Sequence, residues 1–506
     1  MRRSTSALLF FFILLCTACR RADSFFSTPP LFAFDTTVVE NLIRQQAEES
    51  SIRMYADAYT RELVHTGQSF TWISDEGVSE EADILLRHLA KVGQLGFDTA
   101  SFHVNSLRQD INDLRSQATE GFTCNSVDTL MARLEFQLTH ALMRYTYGQR
   151  YGFIKPEPLF NNLLPDDTIG RTITYRRIFD LPCEMPTDSF AHEALMSVRE
   201  KRLARFLKEL QPTDSLFYKL KTEYVRAKTS GDSLRARLAR INMERSRWRY
   251  KRPDGGRYVW VNLAGYELTA VDTKQDTSFT MRICGGGQKH KSPLLTSEIS
   301  YMELNPYWVI PQSIVRKEIV PSHVGDSAYF ARNNYHAINK ETKEEVDPTL
   351  LTEQQLRSAR YTLRQEKGEG NSLGRLIFRF PNRFSVYLHD TNNRGAFWRE
   401  NRGVSHGCIR LERPLDLAIF LMGNGADEFT IDRIRISIDL PPLTARGKRY
   451  KETHPDATPM GYYKFPESTP LWIDYYTLYP DARGTLQEHP DTYHYDTEIE
   501  KYLNRL

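Results

Sequence analysis

The stretch Tyr387–Arg410, YLHDTNNRGAFWRENRGVSHGCIR, decides how this chain is read. A strand-like run, Phe384–Leu388, leads straight into His389. A polar, glycine-containing loop follows, then Ser405-His406-Gly407-Cys408, then Ile409 and Arg410. The imidazole comes first and the thiol follows nineteen residues later. A thiolate is the nucleophilic form of cysteine, and a nearby base produces it. Cys408 is therefore the candidate nucleophile and His389 the candidate general base. An imidazole with an ordinary pKa near ~6.5 can take a proton and return it near neutral pH. Gly407 lets backbone approach closely, so the amides around Cys408 are candidates for holding an oxyanion. In an extended segment His406 would share a face with Cys408. The two histidines and the thiol are also legitimate metal ligands, but no fourth ligand or Cys-x-x-Cys spacing accompanies them, so no metal is expected.

The whole chain frames that stretch. Its 506 residues are long for one domain, so two or three are expected. Composition is ordinary globular, with 40% hydrophobic and 26% charged residues, which supports packed cores. A net charge of +3 is too small to point to nucleic acid or to strong attraction to a membrane surface. The 26 Tyr and 27 Phe suit carbohydrate-binding surfaces and a large core equally well in kind, and the core is the commoner use.

The first residues read as a targeting segment: Arg2-Arg3, then a short apolar run from Ala7 to Leu15, too short to span a bilayer. Cys16-Thr-Ala-Cys19 resembles a lipobox with Cys19 as the lipidated residue, although Cys16 stands where Leu is favoured. Residues 1–18 are thus expected to be a signal peptide, and the protein exported to the periplasm or cell envelope. Export permits disulfides, and spacing leaves Cys124 and Cys183 as either a pair or free thiols. Cys284 ends a strand-like run and is read as structural.

Residues 19–35 read as a linker, and residues 36–250 as a helical domain. Leu130, Leu134, Leu138, Leu142 and Tyr145 mark one apolar helical face, with a cap expected among Ser126, Asp128 and Thr129. A second helix is expected from Thr213-Asp214 onward. The basic run Arg235–Trp248 reads as a solvated helix face. Strand signals run through Tyr258–Val261, Tyr266–Leu268, Phe279–Ile283, Leu376–Phe380 and Phe384–Leu388. They resume at Phe429–Leu440 and Leu471–Tyr479. Between Pro311 and Leu373 they stop, and Thr352–Glu366 reads as a helix.

These residues carry a resemblance. His389 with Ser405-His-Gly-Cys-Ile-Arg410 resembles the L,D-transpeptidase catalytic domain of the YkuD type. Asn242-Met-Glu-Arg-Ser-Arg-Trp248, Val261-Asn262, Asn305-Pro-Tyr-Trp308 with Pro311, Gly370-Asn-Ser-Leu-Gly374 and Phe380-Pro-Asn382 resemble its larger, YcbB-like branch. The resemblance implies a multidomain α+β protein. A mainly helical scaffold domain precedes a β-rich sandwich over residues 251–445, into which a helical capping subdomain at 312–373 is inserted. Residues 446–506 are expected as a β-rich extension packed on the catalytic domain. A dedicated peptidoglycan-binding module, common before the Asn-x-Glu-Arg run, has no room here.

The resemblance also implies roles. Cys408 is the nucleophile, His389 the proton donor and acceptor, and His406 a supporting residue. The backbone carbonyl of Asp390 orients the imidazole, and Gly407 contributes oxyanion-hole backbone. Arg402, Arg410, Ser405, Tyr387 and Trp308 are candidate substrate contacts, since arginine matches the carboxylates of a peptide stem. The implied reaction is 3→3 cross-linking of peptidoglycan through a Cys408 thioester, with loss of the terminal D-Ala of a tetrapeptide. It needs no cofactor, takes stems as both donor and acceptor, and suits a monomer tethered only through lipidated Cys19. The alternatives are an L,D-carboxypeptidase using the same residues and a non-catalytic wall-binding protein. A papain-like protease is disfavoured because its cysteine precedes its histidine.

Overall fold

The computed structural model describes residues 32–67, 69–117, 124–161, 178–248, 250, 255–423, 426–481 and 483–506. The expected targeting segment and Cys19 lie outside these residues. Among the described residues no helix is long and apolar enough to cross a membrane.

The chain divides into two compact units. The first takes the described residues up to Phe153, with Met185–Thr213 and Leu503–Leu506. Its axis is the helix Cys124–Tyr151, against which Thr36–Glu49, Tyr55–His65 and Val104–Gln117 pack. The leucine stripe is buried as its spacing predicts, but Met131, Thr139, His140, Arg144 and Gln149 are buried too. A helix enclosed nearly all round has to satisfy its polar side chains internally. Glu135 does so by accepting the backbone N–H groups of Thr71 and Trp72, each at 2.8 Å. Asp128 does not cap its own helix. It accepts the N–H of Asp35, the residue that caps Thr36–Glu49.

The second unit takes Ile154–Glu184 and Asp214–Tyr502. The helices Ser215–Ser230 and Ser233–Arg247 fall in this unit. The expected solvated face of the basic run is corrected: Asn242, Glu244, Arg245 and Arg247 are all buried. They stay inside because each has a partner. Asn242 bonds Thr477, Glu244 accepts the Ile154 N–H, and Arg245 lies 2.6 Å from Asp496. Arg247 stacks on Phe217.

The strands pair in a ring. In order they are Leu376–Arg379, Leu388–His389, Ile409–Leu411, Thr277–Gly286, Glu267–Asp272, Arg257–Asn262, Tyr462–Asp474 and Leu294–Leu304, which pairs back with Leu376–Arg379. The expected sandwich is thus a sheet closed on itself, with no free edge along the ring. Tyr462–Asp474 sits between Arg257–Asn262 and Leu294–Leu304, so the expected C-terminal extension supplies a central strand. Residues 429–440, expected as a strand, form the helix Glu428–Ser437 instead. Asp427 caps it by accepting from Phe429 and Thr430, a signal that outweighs the isoleucine-rich composition.

The insert is not purely helical. Trp308–Val309, Tyr335–Asn339, Glu345–Val346 and Tyr361–Gln365 form a four-stranded antiparallel sheet. Short helices cover a core of Ile310, Val315, Ile319, Val320, Phe330, Ala337, Leu351, Leu356 and Leu363. The expected helix Thr352–Glu366 stops at Arg357, and Tyr361–Gln365 is a strand whose Leu363 and Gln365 alternate inward.

Candidate active site

The site begins with strand register. Leu388–His389 runs parallel to Ile409–Leu411, pairing Leu388 with Ile409 and His389 with Arg410. The Ile409 N–H donates to the Tyr387 carbonyl at 3.0 Å. One step back in this register, Cys408 stands beside Tyr387. Side chains alternate along strands, so Tyr387, His389, Cys408 and Arg410 share a face. All four line one cleft of about 590 Å³, a size that suits a small substrate. The insert supplies other walls: Trp308, Lys317, Glu318, Tyr329 and Tyr335.

The Ser-His-Gly-Cys turn holds itself. Ser405 Oγ donates to the Cys408 carbonyl and accepts the Gly407 N–H at 3.1 Å. Gly407 has φ +115°, where a side chain would strain the backbone. Its carbonyl accepts Ser292 Oγ at 2.8 Å, and Ser292 Oγ in turn accepts the Gly286 N–H. Two expectations change here. The Gly407 amide is occupied by Ser405, so it is not a free oxyanion donor. Among the described residues the Cys408 amide has no acceptor and can fill that role. The Ser405 hydroxyl braces the turn, and Ser405 also lines the cleft.

Electrostatics set the resting state. His389 is 3% exposed, and burial, then the Arg410 charge, pull its pKa down to about 3. An ordinary imidazole pKa is therefore corrected. Burial pushes the Cys408 thiol up, opposed by hydrogen bonds from the Tyr387 backbone and hydroxyl and by the Arg379 and Arg410 charges. Thiol and imidazole are both neutral at rest. The backbone of Asp390 and Leu373 favours the ring proton, although Nδ1 has no hydrogen bond of normal geometry. The Asp390 carboxylate is used elsewhere, accepting the Arg375 N–H at 2.8 Å and pairing with Arg394 at 3.0 Å. It lies over Gly374, where a Cβ would come within 2.4 Å of it.

The arginines separate. Arg410 lines the cleft, and its buried Nε has no hydrogen-bond partner. Arg402 does not line the cleft. Its guanidinium stacks on Tyr266 and donates to the carbonyls of Ile283, Gly265 and Tyr266, so it braces the loop instead of binding substrate. His406 is largely exposed, with Nε2 2.6 Å from Glu318 and its ring 4.8 Å from that of His290. Cys284 is buried against Ala396 and Phe397, and Cys183 is a free thiol. Among the described residues no group of three His, Cys, Asp or Glu side chains is arranged to hold a metal.

With this geometry, residues 256–436 match the YkuD L,D-transpeptidase catalytic domain and residues 64–223 match the Scaffold domain. The chain carries a YkuD-type L,D-transpeptidase domain together with a Scaffold domain. It is 25% identical over 318 residues to a Haemophilus influenzae protein named "Putative L,D-transpeptidase", which covers 62% of this chain and 60% of that protein. Sequence reasoning about this L,D-transpeptidase domain missed Glu318, Tyr329 and Tyr335, which reach the cleft only through the insert's fold. It also missed Ser292, for which the Gly285-Gly286-Gly287 run was the available signal.

Proposed function

We propose that this protein is a peptidoglycan L,D-transpeptidase of the cell envelope, exported by its N-terminal segment and anchored through Cys19. One observation carries the reading: thiol, neutral imidazole and an unpaired arginine share one face of a capped cleft. Arg410 would hold a stem carboxylate by a bidentate contact. Cys408 Sγ attacks the carbonyl between the third stem residue and D-Ala as its proton passes to His389. The Cys408 amide receives the developing oxyanion. The C–N bond breaks, D-Ala leaves with the proton from His389, and a thioester remains. An amine of a second stem then forms the new C–N bond. The C–S bond breaks, the electron pair stays on sulfur, and one amine proton returns to the thiol through His389. The product is a 3→3 cross-link.

The test incubates the protein with a disaccharide-tetrapeptide and follows products by mass. A dimer lighter by one D-Ala is expected, together with a trapped acyl-enzyme. Cys408→Ala is expected to lose activity by roughly 10⁴-fold or more, because removal of a covalent nucleophile disables the whole unit. Tripeptide without dimer would assign an L,D-carboxypeptidase. An active Cys408→Ala variant would sink the thioester reading.

A further inference from the structure

Besides the cations Arg410 and Lys317, the cleft is lined by a carboxylate, that of Glu318. Glu318 stands in the π-helical turn Val315–Ile319 of the insert. Such turns are rare and concentrate at functional sites. Val315 and Ile319 at its ends are buried in the insert's core, so the turn is anchored, while the Glu318 side chain is 49% exposed and lines the cleft. Its Oε1 lies 2.6 Å from His406 Nε2, two residues before Cys408. Among the described residues Oε2 makes no hydrogen bond and is open to a ligand. Glu318 also acts electrostatically on Tyr329 and Tyr335, which line the same cleft, as does Lys317.

An acyl-enzyme can be resolved by two nucleophiles that differ in charge. Water is neutral. An alkyl amine arrives as an ammonium at neutral pH, because its pKa lies near that of lysine. Arg410 offers such a cation only repulsion, whereas a half-exposed carboxylate offers a charge-assisted hydrogen bond. We propose that Glu318 is a specificity-determining residue, whose carboxylate, held by His406 in the cleft that the thiol lines, receives the ammonium of the acyl acceptor, takes from it the proton that must leave before the amine attacks, and so favours it over water. This inference rests on the acyl-enzyme reading above.

The test measures the dimer-to-tripeptide ratio for the wild-type chain and for Glu318→Gln, across a range of acceptor concentrations. Both products come from one intermediate, so the ratio does not depend on how fast that intermediate forms. The ratio is expected to fall about fivefold in Glu318→Gln, with the half-saturating acceptor concentration rising by a similar factor. Glu318→Asp is expected to recover part of it. Methoxyamine, a nucleophile that is neutral at pH 7, should resolve both acyl-enzymes equally. An unchanged ratio overturns the inference, as does an equal loss toward methoxyamine, which would mean that the insert has merely shifted. Absence of any acyl-enzyme in the wild-type chain would instead overturn the reading on which the inference rests.

Discussion

Arg144 of the first unit and Arg410 of the second are treated in opposite ways. In the first unit Arg144 is fully engaged: Nε and Nη2 grip Asp57 at 2.6 and 2.8 Å, and Nη1 donates to the Ser101 carbonyl. His140 lies 3.0 Å from the same carboxylate, and Asp57 is held well below the usual carboxylate range despite its burial. In the second unit Arg410 has a buried Nε without a partner, and His389 beside it is denied its proton. A buried ionic group that is satisfied holds a fold together. One left unsatisfied is costly to the fold and persists where a ligand supplies the missing partner.

Three substitutions or conditions probe that contrast. The largest effect is expected from Arg144→Met, which leaves Asp57 buried and uncompensated. It should destabilise the first unit by ~3–5 kcal/mol, read by urea unfolding and by faster hydrogen exchange along Cys124–Tyr151. A loss below ~1 kcal/mol would remove the structural role given to the pair. Arg410→Met should do the reverse. Stability is expected to hold or rise, because an unpaired and partly buried charge is removed, while kcat/KM for the donor stem falls about 10- to 100-fold through loss of a charged hydrogen bond. A folding defect comparable to that of Arg144→Met would erase the distinction between the two cations.

The smallest effect concerns pH. His389 has a folded pKa of about 3, below its unfolded value near ~6.5, so the unfolded chain binds the proton first as pH falls. Its contribution is complete above about pH 6.5 and is lost progressively toward pH 3. Between pH 7 and 6 this amounts to ~0.7 kcal/mol, measured as the difference in pH dependence between the wild-type chain and His389→Gln. Glu135 of the first unit works the other way. Burial raises its carboxyl to about 7, so the folded state holds the extra proton and stability falls as pH rises from about 4 toward 7. Parallel pH responses of the two units would contradict both assignments.

Much of the site was legible because it is local. His389, Cys408 and the turn between Ser405 and Cys408 lie in a short span whose residue types already state their chemistry. Arg402 and Arg410 show the limit, since both are arginines close to the same thiol. Only the strand register sends Arg410 into the cleft, and Tyr266 with several backbone carbonyls holds Arg402 out of it. Ser405 and Gly407 stand near the thiol by sequence alone, but which amide remained free depended on one hydrogen bond.

The fold divides in the same way. Strand alternation from Tyr258 to Ile283 and the leucine spacing from Leu130 to Tyr145 carry their own period, so the sequence alone determined those elements and the order of a helical part before a β-rich one. The burial of Asn242, Glu244, Arg245 and Arg247 could not be read in this way, because charge favours water until partners are assembled from Thr477, Asp496 and Ile154. The ring closure, the central place of Tyr462–Asp474 and the approach of Glu318 to His406 also join residues far apart in the chain. No local period or composition encodes such pairings. They exist only once the sheet has closed, and so the tertiary structure decided them.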